Sequence, residues 1–428
     1  MKRADLLCQL RSGQLDARLE AVYGKADLAA ATERLTELVQ EYADTFPCGD
    51  DTETLLFSAP GRSELGGNHT DHQRGHCLAA SVDLDTIACV VPNGSSIVRV
   101  KSRHHQMAQI DLSDLQAHPE EEGSSVALLR GVAARLHQMG YTVGGFDAYT
   151  TTRVLRGSGL SSSAAFEVLI GTIMNHLFCG DELTATQIAQ IGQYAENVYF
   201  GKPCGLMDQL ACATGGVIAI DFHDAASPAV RQVQVDLAAE GYALCIIDSM
   251  ASHADLTGDY AAIPQEMRSV AAALGCQVLG DADEAVFRRD LAKISEACGD
   301  RAALRAHHFF RDDKRVVRQC DALEQGDFDA FLRLVQASGR SSFMYLQNVA
   351  TYRDSREQPV ALLLAVAEDL LDGRGACRVH GGGFAGTMQA FVPLDMLESF
   401  IAGMEQVAGK GACHVLNIRN HGSVLLVS

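Results

Sequence analysis

The sequence predicts an α+β chain built as two lobes that share a cleft, and three observations carry that expectation. Its 428 residues suffice for two domains or two closely packed lobes. Near the middle, a strand-like segment rich in Thr and branched or aromatic residues (146–155, FDAYTTTRVL) runs through a Gly-Ser loop (156–165, RGSGLSSSAA) into a helix-like run. From Ala229 the pattern changes to new strands and then a long helical region, with no Pro/Ser-rich linker between the halves. The divisions read from this are a helical segment 1–46, a first lobe 47–228 and a second lobe 229–428.

In chain order, residues 1–46 carry Leu, Ala and Val at helical spacing and read as packing helices. Segment 55–91 opens and closes on apolar strands around a polar centre, where Arg62, Glu64, Asn68, His69, Asp71, His72 and Arg74 crowd together and Gly61, Gly66, Gly67 and Gly75 bend the backbone. That centre reads either as a solvated loop or as a ligand-facing turn between core strands. Residues 92–123 mix strand-like pieces with polar loop, and 124–140 form a helix with a Ser start and a Gly stop. After the central loop, Val168, Ile173, Met174 and Leu177 recur at roughly helical spacing. A further helix then passes through Gly201-Lys202-Pro203 to a turn carrying Asp208, and GGVIAIDF follows as a buried strand. VRQVQVD and YALCIIDS read as strands, 260–370 as mostly helical, and ACRVHGGGFAGTMQAFVP and HVLNI as closing strands, the former broken at Gly381-Gly382-Gly383. No internal repeat at a solenoid period is evident.

Composition excludes several function classes. Acidic residues outnumber basic ones 54 to 35, a net charge of −19, and no basic stripe for nucleic acid is evident. No apolar run reaches membrane-span length, and the charge-dotted N-terminus lacks a signal-peptide core, so a cytoplasmic location is expected. Thirteen cysteines without paired close spacings argue against a disulfide framework or a zinc cluster. His69, His72 and His76 lack the usual ligand pairing for zinc. A small-molecule ligand and a monomeric chain are the expected partners and state.

The central loop reads as an anion site or as a Ser-rich helix cap. Gly157 and Gly159 permit tight turning and close backbone approach. Backbone N–H groups at a helix start, with its positive dipole end, attract phosphate. No Gly-Lys-Ser/Thr closes the loop, so it is not a Walker A motif. Phosphoryl transfer needs a phosphate cradle, a divalent cation, a group to orient the nucleophile and positive charge near the transferred group. Gly157, Ser158, Gly159, Leu160, Ser161, Ser162 and Ser163 nominate the cradle. Ser163 and Glu196 could hold magnesium, Asp208 could act as base, and Arg62 could supply the charge.

Four stretches in order, APGRSELGGNHTDH (59–72), GSGLSSSAA (157–165), AENVYFGKPCGLMDQL (195–210) and RVHGGGFAG (378–386), resemble the galactokinase branch of the GHMP small-molecule kinases. The resemblance implies a two-lobed fold with a ribosomal-protein-S5-like N-terminal lobe and a ferredoxin-like C-terminal lobe, acting as an ATP- and magnesium-dependent sugar 1-kinase. It makes Asp208 the catalytic carboxylate and Arg62 its cationic partner, Ser163 and Glu196 the magnesium ligands, and 157–163 the triphosphate loop. Asn68, His69, Asp71, Gly205 and Tyr260 match sugar-contacting positions. The family pattern GRVNLIGEHTDY differs from GRSELGGNHTDH here: its Asn becomes Glu64, its Glu becomes Asn68 and its Tyr becomes His72. Loss of the Glu that faces the sugar's C6 end, together with His72-Gln73, resembles galacturonokinases. Galactose is therefore the first expected substrate, galacturonate the second, with Arg74 as a candidate cation for a 6-carboxylate. A non-catalytic sugar sensor is the alternative of another class, although the Ser163-Ala164 pair damaged in such sensors is intact.

Overall fold

The computed structural model describes residues 1–428 apart from 155–158, 252–255, 352–355 and 385. The chain begins with α1 (Arg3–Ser12) and α2 (Asp16–Thr45), followed by β1 (Leu55–Gly66), β2 (His76–Pro92), β3 (Ile97–Ser102) and β4 (Met107–Asp111). Next come α3 (Ser125–Gln138), β5 (Phe146–Thr152), α4 (Ser162–Phe178), α5 (Ala185–Tyr194), a π-helical turn at Ala195–Phe200 and α6 (Met207–Thr214). β6 (Val217–Asp221), β7 (Ala229–Val233) and β8 (Tyr242–Asp248) precede a helical run of α7 (Thr257–Ala273), α8 (Glu284–Arg289), α9 (Leu291–Cys298), α10 (Asp300–Glu324), α11 (Phe328–Ser341) and α12 (Pro359–Leu371). The chain closes with β9 (Ala376–His380), β10 (Thr387–Pro393), α13 (Leu397–Ala408), β11 (Cys413–Leu416) and β12 (Val424–Val427).

Two sheets organise these elements. The first runs β12-β1-β2-β5-β3-β4, with β6 added to β2 and β7 to β6; the second is β11-β8-β10-β9. Long β2 joins two partners in succession, Thr86–Pro92 pairing with β5 and His76–Ala80 with β6. Its side chains alternate faces. Ala88 and Val90 enter a core with α3, α4 and α6, whereas Ile87 and Cys89 join Leu35, Leu38 and Tyr42 of α2 on the opposite face. The N-terminal helices thus cover a face of the sheet that would otherwise be wet. In the second sheet, Cys245, Ile247, Met388 and Ala390 pack against Leu363, Ala367 and Phe400 of α12 and α13.

Three placements differ from the sequence reading. Arg62 and Glu64 lie within β1, not in the polar turn after it, and both are buried. Strand alternation fails there because both faces are covered: Arg378 bonds Glu64, and Gln389 Nε2 donates to Ser63 Oγ (2.8 Å) and Glu64 O (3.0 Å), so polar groups of the second lobe satisfy the strand. Asp208 is in the first turn of α6. β7 starts at the expected division at 229 yet pairs with β6, and β12 returns from the end of the second lobe to pair with β1.

Candidate active site

Arg62 and Asp208 form a two-pronged ion pair. Arg62 Nε donates to Asp208 Oδ1 and Nη2 to Oδ2, both at 2.7 Å. β1 supplies the arginine and α6 the carboxylate, and the central loop joins them: Arg62 Nη1 donates to Gly159 O, and Ser161 Oγ donates to Asp208 Oδ2. Burial alone would raise the Asp208 carboxyl, but the Arg62 charge and hydrogen bonds, with that from Ser161, hold it below the usual carboxylate range. Asp208 keeps 30% of its side chain exposed, against 7% for Arg62. The carboxylate is therefore ionised at neutral pH and still reachable.

The loop meets α4 at Ser161, which sits at the N-cap with φ 56° and makes no side-chain cap bond, its hydroxyl being given to Asp208. First-turn N–H groups of α4 thus lack that cap, at the positive end of the helix dipole. Gly159 (φ +71°) lies so close to the second lobe that a Cβ would come within 2.8 Å of Thr387 Oγ1 and 2.9 Å of His380 Nδ1. Only glycine suits both the backbone angle and the gap. Gly157 and Ser158 lie outside the described residues.

On α4, Ser163 Oγ donates to Glu196 Oε1 at 3.1 Å, and Lys202 Nζ approaches the same oxygen at 3.2 Å. Glu196 comes from the π-helical turn, and its second oxygen accepts from Gln209 Nε2 (2.9 Å). Gln209 Nε2 also reaches Glu167 Oε2 (3.0 Å), one helical turn beyond Ser163. Burial, and then the charge of Glu196, push the Glu167 carboxyl well above its ordinary range. Glu167 Oε1 and Gln209 Oε1 are buried with no hydrogen-bond partner. The oxygen-only pair of Ser163 and Glu196 suits a hard cation such as magnesium, which takes few protein oxygens. Among the described residues, no group of three or more His, Cys, Asp or Glu could hold a metal ion.

The expected sugar-contact residues fall into three settings. Asp71 packs on Gly205, where a Cβ would lie 1.7 Å from Asp71 Oδ2, bringing the turn after β1 beside the start of α6. His69 Nε2 lies 3.3 Å from Gly382 O, and Tyr260 OH donates to Gly383 O (3.0 Å), so both meet the glycine run after β9. Burial and then His72 push His69 down to about 3, leaving it neutral. Asn68 is fully buried and its amide is engaged by the protein: Nδ2 donates to Glu64 Oε1 (3.1 Å) and Gly381 O (2.7 Å), while Oδ1 accepts from Asn348 Nδ2 (2.8 Å) and Ser342 Oγ (3.2 Å). Arg74 turns to the second lobe, its Nη1 donating to Asp281 Oδ2 (3.0 Å) and Oδ1 (3.3 Å).

Sequence reasoning passed over three residues that the geometry brings into the site. His380 Nε2 accepts from the Glu64 N–H (3.2 Å), which fixes the proton on Nδ1, facing Thr387 Oγ1 (3.1 Å). Burial, then the charges of Arg62 and Arg378, keep it neutral. Glu167 and Gln209 complete the Glu196 network. His380 and Gln209 stand inside the quoted stretches 378–386 and 195–210, whereas Glu167 lies two residues past the Gly-Ser loop, where a polar residue within an apolar helical pattern is the available signal.

Comparison with known proteins gives the family of the chain. Residues 127–216 match the model for the GHMP kinases N-terminal domain, spanning α4 to α6 and the central loop. Residues 40–92 match the galactokinase galactose-binding signature, which covers β1, β2 and the turn between them. The chain is 33% identical over 337 residues to a galactokinase of Streptomyces coelicolor, covering 78% of this chain and 83% of that one. Its fold is similar to the crystal structure of Lactococcus lactis galactokinase complexed with galactose (TM-score 0.78, 24% identity, 91% and 99% of the two chains). It is also similar in fold to a mevalonate kinase (TM-score 0.60, 12% identity, 86% and 100%). The chain with the Arg62–Asp208 pair at its Gly-Ser loop therefore belongs to the galactokinases of the GHMP kinase family.

Proposed function

We propose that the protein transfers the γ-phosphoryl group of ATP to the anomeric hydroxyl of galactose, giving galactose 1-phosphate and ADP. The observation that carries this reading is the Arg62–Asp208 pair: an ionised, partly exposed carboxylate held by a guanidinium that also touches the Gly-Ser loop. Phosphoryl transfer passes through a loose transition state, so the nucleophile needs orientation more than early deprotonation. A carboxylate kept ionised by Arg62 suits that task, accepting a hydrogen bond from the sugar hydroxyl and its proton late. Arg62 and the uncapped N–H groups of α4 offer positive charge where the transferred group carries it. Ser163 and Glu196 are the proposed magnesium ligands, and the cation would supply charge neutralisation between the phosphates. Glu167 and Gln209 hold Glu196 from behind.

His69, Asp71, Gly205 and Tyr260 are the proposed sugar-facing set, with Asn68 acting through the Gly381 carbonyl and the loop it pins. Two features favour galactose over galacturonate. Arg74 is already engaged by Asp281, and the carboxylate of Glu64 stands directly behind Asn68, an unfavourable neighbourhood for a second anion. The proposal needs only one chain, since every named group comes from it. Thirteen free cysteines fit the reducing cytoplasm it assumes. No described helix is long and apolar enough to cross a membrane. The test is ADP release by the purified protein with ATP, magnesium and either galactose or galacturonate at matched concentrations. Galactose-dependent release that stops on chelation of magnesium is expected. Binding of ATP and galactose without ADP release would sink the enzyme reading in favour of a sensor.

A further inference from the structure

Away from the cleft, α8 and α10 enclose a surface pocket of ≈ 220 Å³ lined by Glu284, Arg288, Phe310, Arg311, Lys314, Arg315 and Arg318. Five of those seven residues are cations, in a chain of net charge −19. Arg311, Lys314, Arg315 and Arg318 recur at the i, i+3, i+4 and i+7 positions of α10, so like charges face one another along one side of the helix. Each such pair is destabilising without a counter-ion. Glu284 compensates two of the five cations, bonding Arg288 (2.5 Å) and Lys314. Arg315 pairs with Asp312. Among the described residues no carboxylate pairs with Arg311 or Arg318, and both are exposed. The field is felt locally: His307 is pushed down by burial and then by the charges of Arg311 and Arg288.

We propose that this pocket binds a small phosphorylated anion, with the guanidinium groups of Arg311 and Arg318 holding the phosphate and Lys314 closing on it. Guanidinium forks match phosphate oxygens in pairs, and the charge left over after Glu284 and Asp312 suits a multiply charged oxyanion. The volume admits a phosphate with a small sugar attached. The site is also wired to the sugar loop. Asp312, which Arg315 holds, accepts from the backbone N–H of Asn68 at 3.0 Å, and its neighbour Asp313 accepts from the backbone N–H of His76 at 2.7 Å. An anion that draws Arg315 away from Asp312 loosens the anchor of the turn carrying His69 and Asp71.

The test is calorimetric titration of the full chain with inorganic phosphate and, separately, with a hexose 1-phosphate, at fixed ionic strength and with the catalytic cleft filled by galactose and a non-hydrolysable ATP analogue. One saturable site is expected for at least one probe, and the two arms distinguish free phosphate from a phosphate ester. Arg311→Ala/Arg318→Ala, which touches only exposed side chains, should lose affinity by about tenfold or more while keeping basal ADP release. No saturable binding of either probe, or an unchanged isotherm in the double variant, overturns the site. Added phosphate should shift the KM for sugar in the wild type and not in the double variant; an unshifted KM in the wild type overturns the link through Asp312. Both binding results stand whether or not galactose is the true substrate, because the double variant reports on the pocket alone.

Discussion

Two aspartates beside the middle of the β1–β2 ladder, Asp85 opposite Pro60 and Asp208 on the Arg62 side chain, are held by arginines in much the same way, and they have opposite uses. Asp85, on β2, accepts from Ser58 Oγ (2.6 Å), Tyr23 OH (2.9 Å), Arg34 Nη1 (2.9 Å) and Arg419 Nη1 (3.3 Å), and none of its side chain is exposed. Asp208 accepts from Arg62 and Ser161 and is 30% exposed. In both, burial works to raise the carboxyl and arginine charge more than offsets it, so each is depressed. The difference is in access. Asp85 is fully enclosed and ties α2, β1 and the Arg419 segment together, whereas Asp208 is gripped by Arg62 and Ser161 yet keeps 30% of its side chain open to a further partner. One carboxylate is finished by the fold; the other waits for a hydroxyl.

The same isosteric change at the two sites separates these roles most sharply. Asp208→Asn should lower kcat by about 10²–10⁴-fold, the usual worth of a positioned proton-accepting group, with chemical denaturation and sugar affinity close to wild type. Wild-type turnover in that variant would remove Asp208 from the chemistry. Asp85→Asn should instead lower unfolding stability by about 3–5 kcal/mol, because Arg34 and Arg419 lose their buried counter-charge. Residual folded Asp85→Asn protein should keep its kcat. A stable Asp85→Asn protein with damaged kcat would erase the distinction drawn here.

This contrast also marks what could be read from the sequence. Arg62, Ser163, Glu196 and Asp208 stand in glycine-punctuated polar stretches beside strand- and helix-like runs, and that signal is visible one residue at a time. Asp85 gives no such sign, since its arginines come from residues 34 and 419, far away along the chain. The return of β12 to β1 is silent for the same reason: strand pairing across the whole chain leaves no local periodicity. Arg62 and Glu64 read as turn residues because a half-buried strand alternates apolar and polar residues, whereas Arg378, His380 and Gln389 of the other lobe satisfy polar positions inside the strand. Arg74 looked available because Asp281, its partner, is 207 positions away.

A smaller effect tests the electrostatic side of the comparison. The Asp208 carboxyl is depressed in the fold, so its charged form persists above that depressed value and is lost only as pH falls through it. Wild-type kcat/KM should therefore show no acid limb from this group above about pH 4, the ordinary aspartate range. In Arg62→Leu, burial is opposed by little more than the Ser161 hydrogen bond and the Lys202 charge, and the acid limb should move upward by about 1–3 pH units, beyond any loss of rate at the plateau. A pH profile that keeps its wild-type acid limb in Arg62→Leu would mean that the guanidinium does not set the carboxylate's charge.

The smallest expected effect concerns Glu64 and Asn68, whose order is the reverse of the family pattern's Asn and Glu. The structure puts the two side chains in contact at 3.1 Å and bonds Arg378 to the same Glu64 oxygen, all fully or nearly fully buried. One carboxylate, one amide and one guanidinium therefore form a unit, and burial pushes the Glu64 carboxyl up against the pull of Arg378. Asn68→Glu alone crowds a second carboxylate into that unit, and Glu64→Asn alone leaves Arg378 without its counter-charge, so each single variant should be destabilised. Glu64→Asn/Asn68→Glu restores the inventory in the family's order. Its stability should exceed the sum of the single effects by about 0.5–3 kcal/mol in a double-mutant cycle, with preference for galactose over galacturonate retained. Strict additivity would show that the inversion is two independent changes, and Asn68 would then have to be explained by what it offers a ligand.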